Sequence, residues 1–250
     1  MKDMKKYLPV VLLFLGVFVL VVAFFVVRGI GKKEVDEDDE SALIELPLEK
    51  RPIASFTPTE DGHYLVLKVE KIMVEGASTM DYELIYDVPD HPSQGVPGTV
   101  DIEGKESFEA ELLLGSESSG KFRYDEGVEE GTLTIRFRNE DGKLMVKFTS
   151  DFHLQSGTST LTSLDGKFTY EIDNMPEEGF FVTMETFGIP KDPGGNLLRG
   201  PYGVFSSIDD DLSGDAKMDH EPVFRFDGEK WEDVHNNKSP DLGIFIAVGE

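Results

Sequence analysis

Twenty-one consecutive uncharged residues, Tyr7 to Val27 (YLPVVLLFLGVFVLVVAFFVV), constrain this chain more than any other feature. At ~1.5 Å per residue the run makes a helix about 31 Å long, matching a hydrocarbon core of ~30 Å. Lipid offers no partners to the backbone, so a helix is the fold available to the run despite its many β-branched residues. A cleaved export signal has an apolar region of only ~7–15 residues followed by a small-x-small site. Here the run ends in Val26-Val27-Arg28, and no cysteine follows for lipid attachment. The expectation is a retained anchor over residues 7–30 behind a cytoplasmic tail, 1–6. Lys2, Lys5 and Lys6 precede the run and Arg28, Lys32 and Lys33 follow it, so the positive-inside count is nearly tied. The short tail and the acids from Glu34 to Glu40 favour a cytoplasmic N-terminus. The chain is then a single-pass cell-membrane protein with its C-terminal portion extracytoplasmic.

Charge separates the anchor from the rest. Of 24 Lys+Arg and 49 Asp+Glu, residues 1–33 hold six and one, which leaves 18 against 48, or −30, for residues 34–250. Such a surface repels phosphate backbones, so nucleic acid is not an expected partner. It attracts cations and basic partner surfaces. With no cysteine, core burial rather than disulfides must hold the fold. Residues 31–41, GKKEVDEDDES, read as a self-repelling, extended acidic linker.

Beyond the linker the pattern is one of short strands: Ile53–Phe56, His63–Val69, Tyr82–Tyr86, Phe108–Leu114, Leu133–Phe137 and Leu144–Phe148. Leu133, Ile135 and Phe137 alternate with polar residues. Leu144, Val146 and Phe148 repeat the pattern after the turn Asn139-Glu140-Asp141-Gly142, which predicts a hairpin. Asp165-Gly166 and Asp227-Gly228 mark two more hairpin tips, of a kind suited to type I′ turns. The expected fold class is all-β, with the N-terminal transmembrane helix followed by two antiparallel β-sandwich-like domains. The small polar stretch Gln155-Ser156-Gly157-Thr158-Ser159 suggests their boundary. An immunoglobulin- or fibronectin-like sandwich would then cover 42–154 and an acidic β domain 158–250.

Two segments resemble ligand loops. Gly115-Ser116-Glu117-Ser118-Ser119-Gly120-Lys121 has the spacing of a phosphate-binding loop. Phe122 stands where a magnesium-holding hydroxyl belongs, and no helix follows. Nucleotide is not expected, and the segment reads as a flexible inter-strand loop. Asp209-Asp210-Asp211-Leu212-Ser213-Gly214-Asp215 places oxygens at alternate positions with glycine sixth, the first half of a calcium loop. His220 occupies position twelve in place of a bidentate acid, so an EF-hand is not expected. Calcium would be held by Asp209, Asp211, Ser213 and Asp215 with acids such as Asp219 and Asp233 from nearby. Asp209–Asp219 and Glu232–Asp241 flank the Asp227-Gly228 hairpin and should emerge at one end of it. Carboxylates gathered there repel unless a cation sits among them. His220 and His235, with Asp219, Glu221 and Asp233, form a weaker transition-metal alternative without fixed ligand spacing. Tyr82, Tyr86, Tyr124 and Trp231 read as core or strand-face aromatics rather than a sugar-stacking platform.

The stretch from Gly203 to Val248 resembles a domain of unknown function found near the C-termini of bacterial exported and surface proteins. The resemblance rests on Asp219-His220, Val223–Phe226, Trp231-Glu232-Asp233, and Pro240-Asp241 leading into Ile244–Val248. It implies an acidic, calcium-associated β module. The family's dense Asp/Asn cluster before the last strand is reduced here to Asp241. Taken together, these features lead to an expected non-catalytic surface or adhesion protein, possessing no catalytic residues and a cell-surface protein or glycan as partner. The competing class is a membrane-tethered hydrolase acting on envelope glycans or peptides, which requires a concave pocket with convergent polar groups.

Overall fold

The computed structural model describes residues 43–249, so the expected tail, anchor and linker lie outside the described residues. No helix among the described residues is long and apolar enough to cross a membrane. Strands dominate them, with only the short 3-10 turns Leu48–Lys50 and His235–Asn237 between. The strands are β1 (Ile53–Pro58), β2 (Tyr64–Glu70), β3 (Thr79–Tyr86), β4 (Gln94–Asp101), β5 (Ser107–Leu113), β6 (Gly115–Ser118), β7 (Lys121–Tyr124), β8 (Glu130–Arg138) and β9 (Leu144–Ser156). They continue as β10 (Thr160–Thr162), β11 (Phe168–Ile172), β12 (Phe180–Glu185), β13 (Asn196–Ser206), β14 (Gly214–Met218), β15 (Val223–Phe226), β16 (Trp231–Asp233), β17 (Lys238–Ser239) and β18 (Gly243–Gly249).

One nine-stranded sheet runs through the fold in the order β16-β15-β18-β13-β12-β9-β8-β3-β4. Two smaller sheets, β1-β2-β5 and β10-β11-β14-β17, accompany it, and β6-β7 is a separate two-stranded ribbon. The alternation of side chains along a strand explains how both small sheets are served. In β12, Val182 and Met184 enter a core with Phe56, Leu65 and Leu67 of β1-β2 and with Leu84, Leu133, Ile135 and Phe152. Phe181, one position before Val182 and so on the other face, enters a second core with Phe168 and Tyr170 of β11, Tyr202 and Val204 of β13, and Phe245 of β18. The two sandwiches therefore use opposite faces of one sheet, and β12 is a wall common to both.

The anticipated boundary at 155–159 falls where β9 ends and its last residues, Phe152–Ser156, pair with β12. Gln155 is buried there and fully engaged. Its Nε2 donates to the Thr183 hydroxyl at 3.3 Å, and its Oε1 accepts from the Thr162 backbone at 2.9 Å. That side chain ties the second small sheet to the long one.

The three predicted hairpins form, with a different turn chemistry. In both Asp-Gly turns only the glycine takes positive φ, 69° at Gly166 and 101° at Gly228, so neither is type I′. The aspartate instead caps the loop. Asp165 Oδ1 accepts from Ser163 Oγ and the Lys167 N–H, and Asp227 Oδ1 accepts from the N–H groups of Glu229 and Lys230.

Candidate functional site

The acidic segments meet much as their spacing predicts, and the protein supplies its own cations. β14 pairs with β17 so that Asp215 lies opposite Lys238. The Lys238 ammonium sits 2.7 Å from Asp173 Oδ1 and 3.2 Å from Asp215 Oδ2, while Ser213 Oγ donates to Asp173 Oδ2 at 3.2 Å. Hydrogen bonding from Lys238 holds Asp173 below its ordinary pKa, and Asp173 and then Asp215 raise that of Lys238.

The other acids are dispersed. Asp219 receives a bidentate bond from Arg199, both contacts 2.7 Å, with His220 Nδ1 at 3.0 Å from the same carboxylate. Arg199 first, then His220, pull its pKa down to about 2. Asp233 lies 3.4 Å from His235 Nδ1. Asp209 is exposed and lines a different groove, and Asp211 is exposed nearby. Asp241, next to the final strand, accepts the Leu212 N–H at 2.9 Å and faces Arg225 at 3.4 Å. Among the described residues no group of three or more His, Asp or Glu side chains is arranged to hold a metal ion.

The segment read as a flexible loop is instead an ordered ribbon. β6 and β7 pair from Gly115↔Tyr124 to Ser118↔Lys121. Ser119 and Gly120, at φ 53° and 74°, make the two-residue turn with both angles positive. At Gly115 any side chain would collide with the Arg123 carbonyl, so the close crossing requires glycine. Along β7, Phe122 and Tyr124 fall on one face and Lys121 and Arg123 on the other. All four are exposed, Phe122 at 47% and Tyr124 at 37%.

A two-stranded ribbon is marginal by itself, and the β1–β2 turn steadies this one. Asp61 is the pivot. It accepts Thr59 Oγ1 at 2.6 Å, the His63 N–H at 3.0 Å and His63 Nδ1 at 3.0 Å. Since a carboxylate only accepts, that contact places a proton on Nδ1. The hydrogen bond from Thr59, followed by that from the His63 backbone, holds Asp61 below its usual pKa. The imidazole so oriented stacks on Tyr124, with ring centres 3.7 Å apart and planes 3° apart. Phe122 lies nearly parallel to Tyr124 at 6.2 Å, and Tyr64 meets it edge-on at 6.4 Å. The result is a fixed row, Phe122–Tyr124–His63, with Tyr64 at its flank.

Tyr64 also lines an open groove of about 780 Å³ between the β1–β2 turn and the segment after β13. Glu60, Asp61, Glu111 and Asp209 contribute carboxylates to it, and no lysine or arginine lines it. Partial burial, then Tyr124, Glu111 and Asp61, raise the Tyr64 pKa. On the other side of the ribbon a groove of about 540 Å³ runs past His91, Gln94 and Arg123 to Asp125. There the buried Tyr86 donates its hydroxyl to Asp125 Oδ2 at 2.9 Å.

A smaller cleft, about 170 Å³, opens where the β10–β11 hairpin meets β9 and β12. Asp165 accepts Tyr202 OH at 2.7 Å and Ser163 Oγ at 2.6 Å. Burial works to raise its pKa, but these bonds and the Lys167 amide outweigh it and leave the carboxyl lowered. Glu185 reaches solvent at the mouth, yet protein atoms crowd its carboxylate. Desolvation, then the charge of Asp165, push it up.

Tyr86 and Tyr82 lie in the first core or packed against it, and Trp231 packs against a small cluster around Ile246, as strand aromatics should. Tyr124 differs, because it stands on the exposed row. The signal that could have found it is K-F-R-Y, cation and aromatic alternating at strand period between Ser119-Gly120 and an acidic segment punctuated by Gly127 and Gly131. In comparisons with known proteins, no family model and no curated protein matches this chain.

Proposed function

We propose that this chain is a membrane-anchored, extracytoplasmic, non-catalytic binding protein that meets a partner at the cell surface through the β6–β7 ribbon. The observation that carries the reading is the row Phe122–Tyr124–His63, in which the rings of Phe122 and Tyr124 are exposed and His63, oriented by Asp61, stacks on Tyr124. Exposed aromatics fixed in place before contact lose little freedom on binding, which is how aromatic anchors contribute most to interfaces. The apolar run at 7–27 supports tethering, and the −30 charge of residues 34–250 supports a solvated position off the bilayer. The test is adherence of intact cells carrying the full chain. Phe122→Ala with Tyr124→Ala abolishes adherence while surface display, followed by added protease, is unchanged. Adherence that survives the double substitution, or a chain protected from protease in intact cells, defeats the reading.

The hydrolase reading keeps one observation in its favour: Asp165 and Glu185 share a cleft in which one carboxyl is lowered and the other raised, the division of roles that acid–base chemistry needs. It requires release of reducing ends or free amines from envelope material. That release must be lost in Glu185→Gln with folding intact.

A further inference from the structure

The aromatic row does not end at the ribbon. Tyr64 continues it edge-on and is itself a wall of the open groove beyond, so row and groove form one continuous surface. Its two halves differ in character. The ribbon offers the exposed rings of Phe122 and Tyr124, and aromatic rings attract cations and flat apolar groups. The groove offers the carboxylates of Glu60, Asp61, Glu111 and Asp209 with no basic side chain among its walls. In the acidic segments around Lys238 and Arg199 each carboxylate cluster holds an internal cation. The groove holds none of its own. Asp61 is committed to Thr59 and His63, which leaves Glu60, Glu111 and Asp209 turned to the opening, all exposed. At about 780 Å³ the space suits several side chains of an extended segment rather than a single ion.

From this surface we infer that the partner is a lysine- and arginine-rich polypeptide segment, its basic side chains lying across Tyr124 and Phe122 and into the groove beside Tyr64. This rests on the reading of the chain as a binding protein and adds the chemical class of its partner. Charge complementarity chooses that class. A neutral glycan would use the rings but leave the carboxylates unanswered, and an anionic one would be repelled by them. Lys121 and Arg123 lie on the opposite face of β7 and do not interrupt the surface.

The experiment titrates a fluorescent twelve-residue Lys/Arg peptide against the full chain in detergent micelles, with a neutral oligosaccharide of similar length as the second probe. The peptide binds, and its affinity falls as salt rises. Glu111→Gln with Asp209→Asn weakens it about tenfold at low salt, which is about 1.4 kcal/mol. Tyr124→Ala weakens it too. The control Glu140→Gln with Glu229→Gln removes the same charge from two distant exposed turns and leaves affinity within about twofold, because Debye screening limits the reach of the general field. Equal losses in the groove and control variants overturn the inference, since attraction would then come from net charge alone. No binding of the peptide overturns it as well. Ribbon-dependent binding of the oligosaccharide alone removes the basic partner but keeps the binding protein. Loss of cell adherence is measured separately and decides that broader reading.

Discussion

The acidic segments around residues 209–241 and the β6–β7 ribbon both resemble ligand loops in sequence, and the fold treats them in opposite ways. In the first, internal cations answer the carboxylates: Lys238 between Asp173 and Asp215, Arg199 on Asp219, Arg225 on Asp241. The interactions close inside the molecule. In the second, Asp61 orients His63 against Tyr124, and the rings of Tyr124 and Phe122 stay exposed to water. A motif's composition therefore says less about binding than whether its own neighbours have already satisfied it.

Four measurements press on this contrast. The largest effect belongs to the segment that is closed on itself. Tyr170 is fully buried, and its hydroxyl donates to the Leu212 carbonyl at 2.7 Å, pinning the acidic turn to the second core. Tyr170→Ala costs about 3–5 kcal/mol by denaturant unfolding, the range for a large core aromatic. Phe122→Ala on the ribbon removes a ring and costs only about 0.5 kcal/mol or less, as for surface substitutions generally, while adherence falls. Similar stability losses at the two sites would erase the distinction.

Next comes pH. The carboxyl of Asp219 is held at about 2 against an ordinary 3.8. A lowered folded-state pKa contributes stability that is complete above the unfolded value and lost as pH falls from 3.8 through about 2. Melting temperatures of the wild type and of Asp219→Asn should therefore differ at neutral pH and converge across that window. A gap that stays constant down to pH 2 breaks the assignment. Smallest of all is the response to calcium. With Lys238 already among Asp173, Asp215 and Ser213, adding calcium or a chelator leaves the melting temperature where it is. A rise of several degrees with calcium would show the acidic turn reorganising around an ion and would restore it as a ligand loop.

Much of the sheet architecture was legible. Each of the six strands anticipated before residue 150 has its counterpart, because Leu133-x-Ile135-x-Phe137 and similar runs carry the two-residue period directly. β4 was not legible. Its sequence, QGVPGTVD, is broken by Gly95, Pro97 and Gly98, which disfavour strands, and it forms as an edge strand against β3, where one side needs no partner. β6 and β7 were hidden for another reason: Gly115 and Lys121 carry the spacing of a phosphate loop, while the pairing depends on Ser119 taking a left-handed backbone. In the acidic region the proximity of the two segments followed from hairpin geometry. What could not be read was that Lys238, one residue in a linker-like run, would land opposite Asp215. Cross-strand neighbours are set by register, and β17 spans only two residues.

The alternation in β12 has a consequence for how this protein can change over time. Val182 and Met184 face one interior and Phe181 the other, so six residues answer simultaneously to two sets of constraints. Either half, excised as a cassette for shuffling into other chains, would carry away a strand whose remaining face is greasy and bare. Inheritance of this unit is therefore all or nothing, and diversification is confined to its rims, where the ribbon stands.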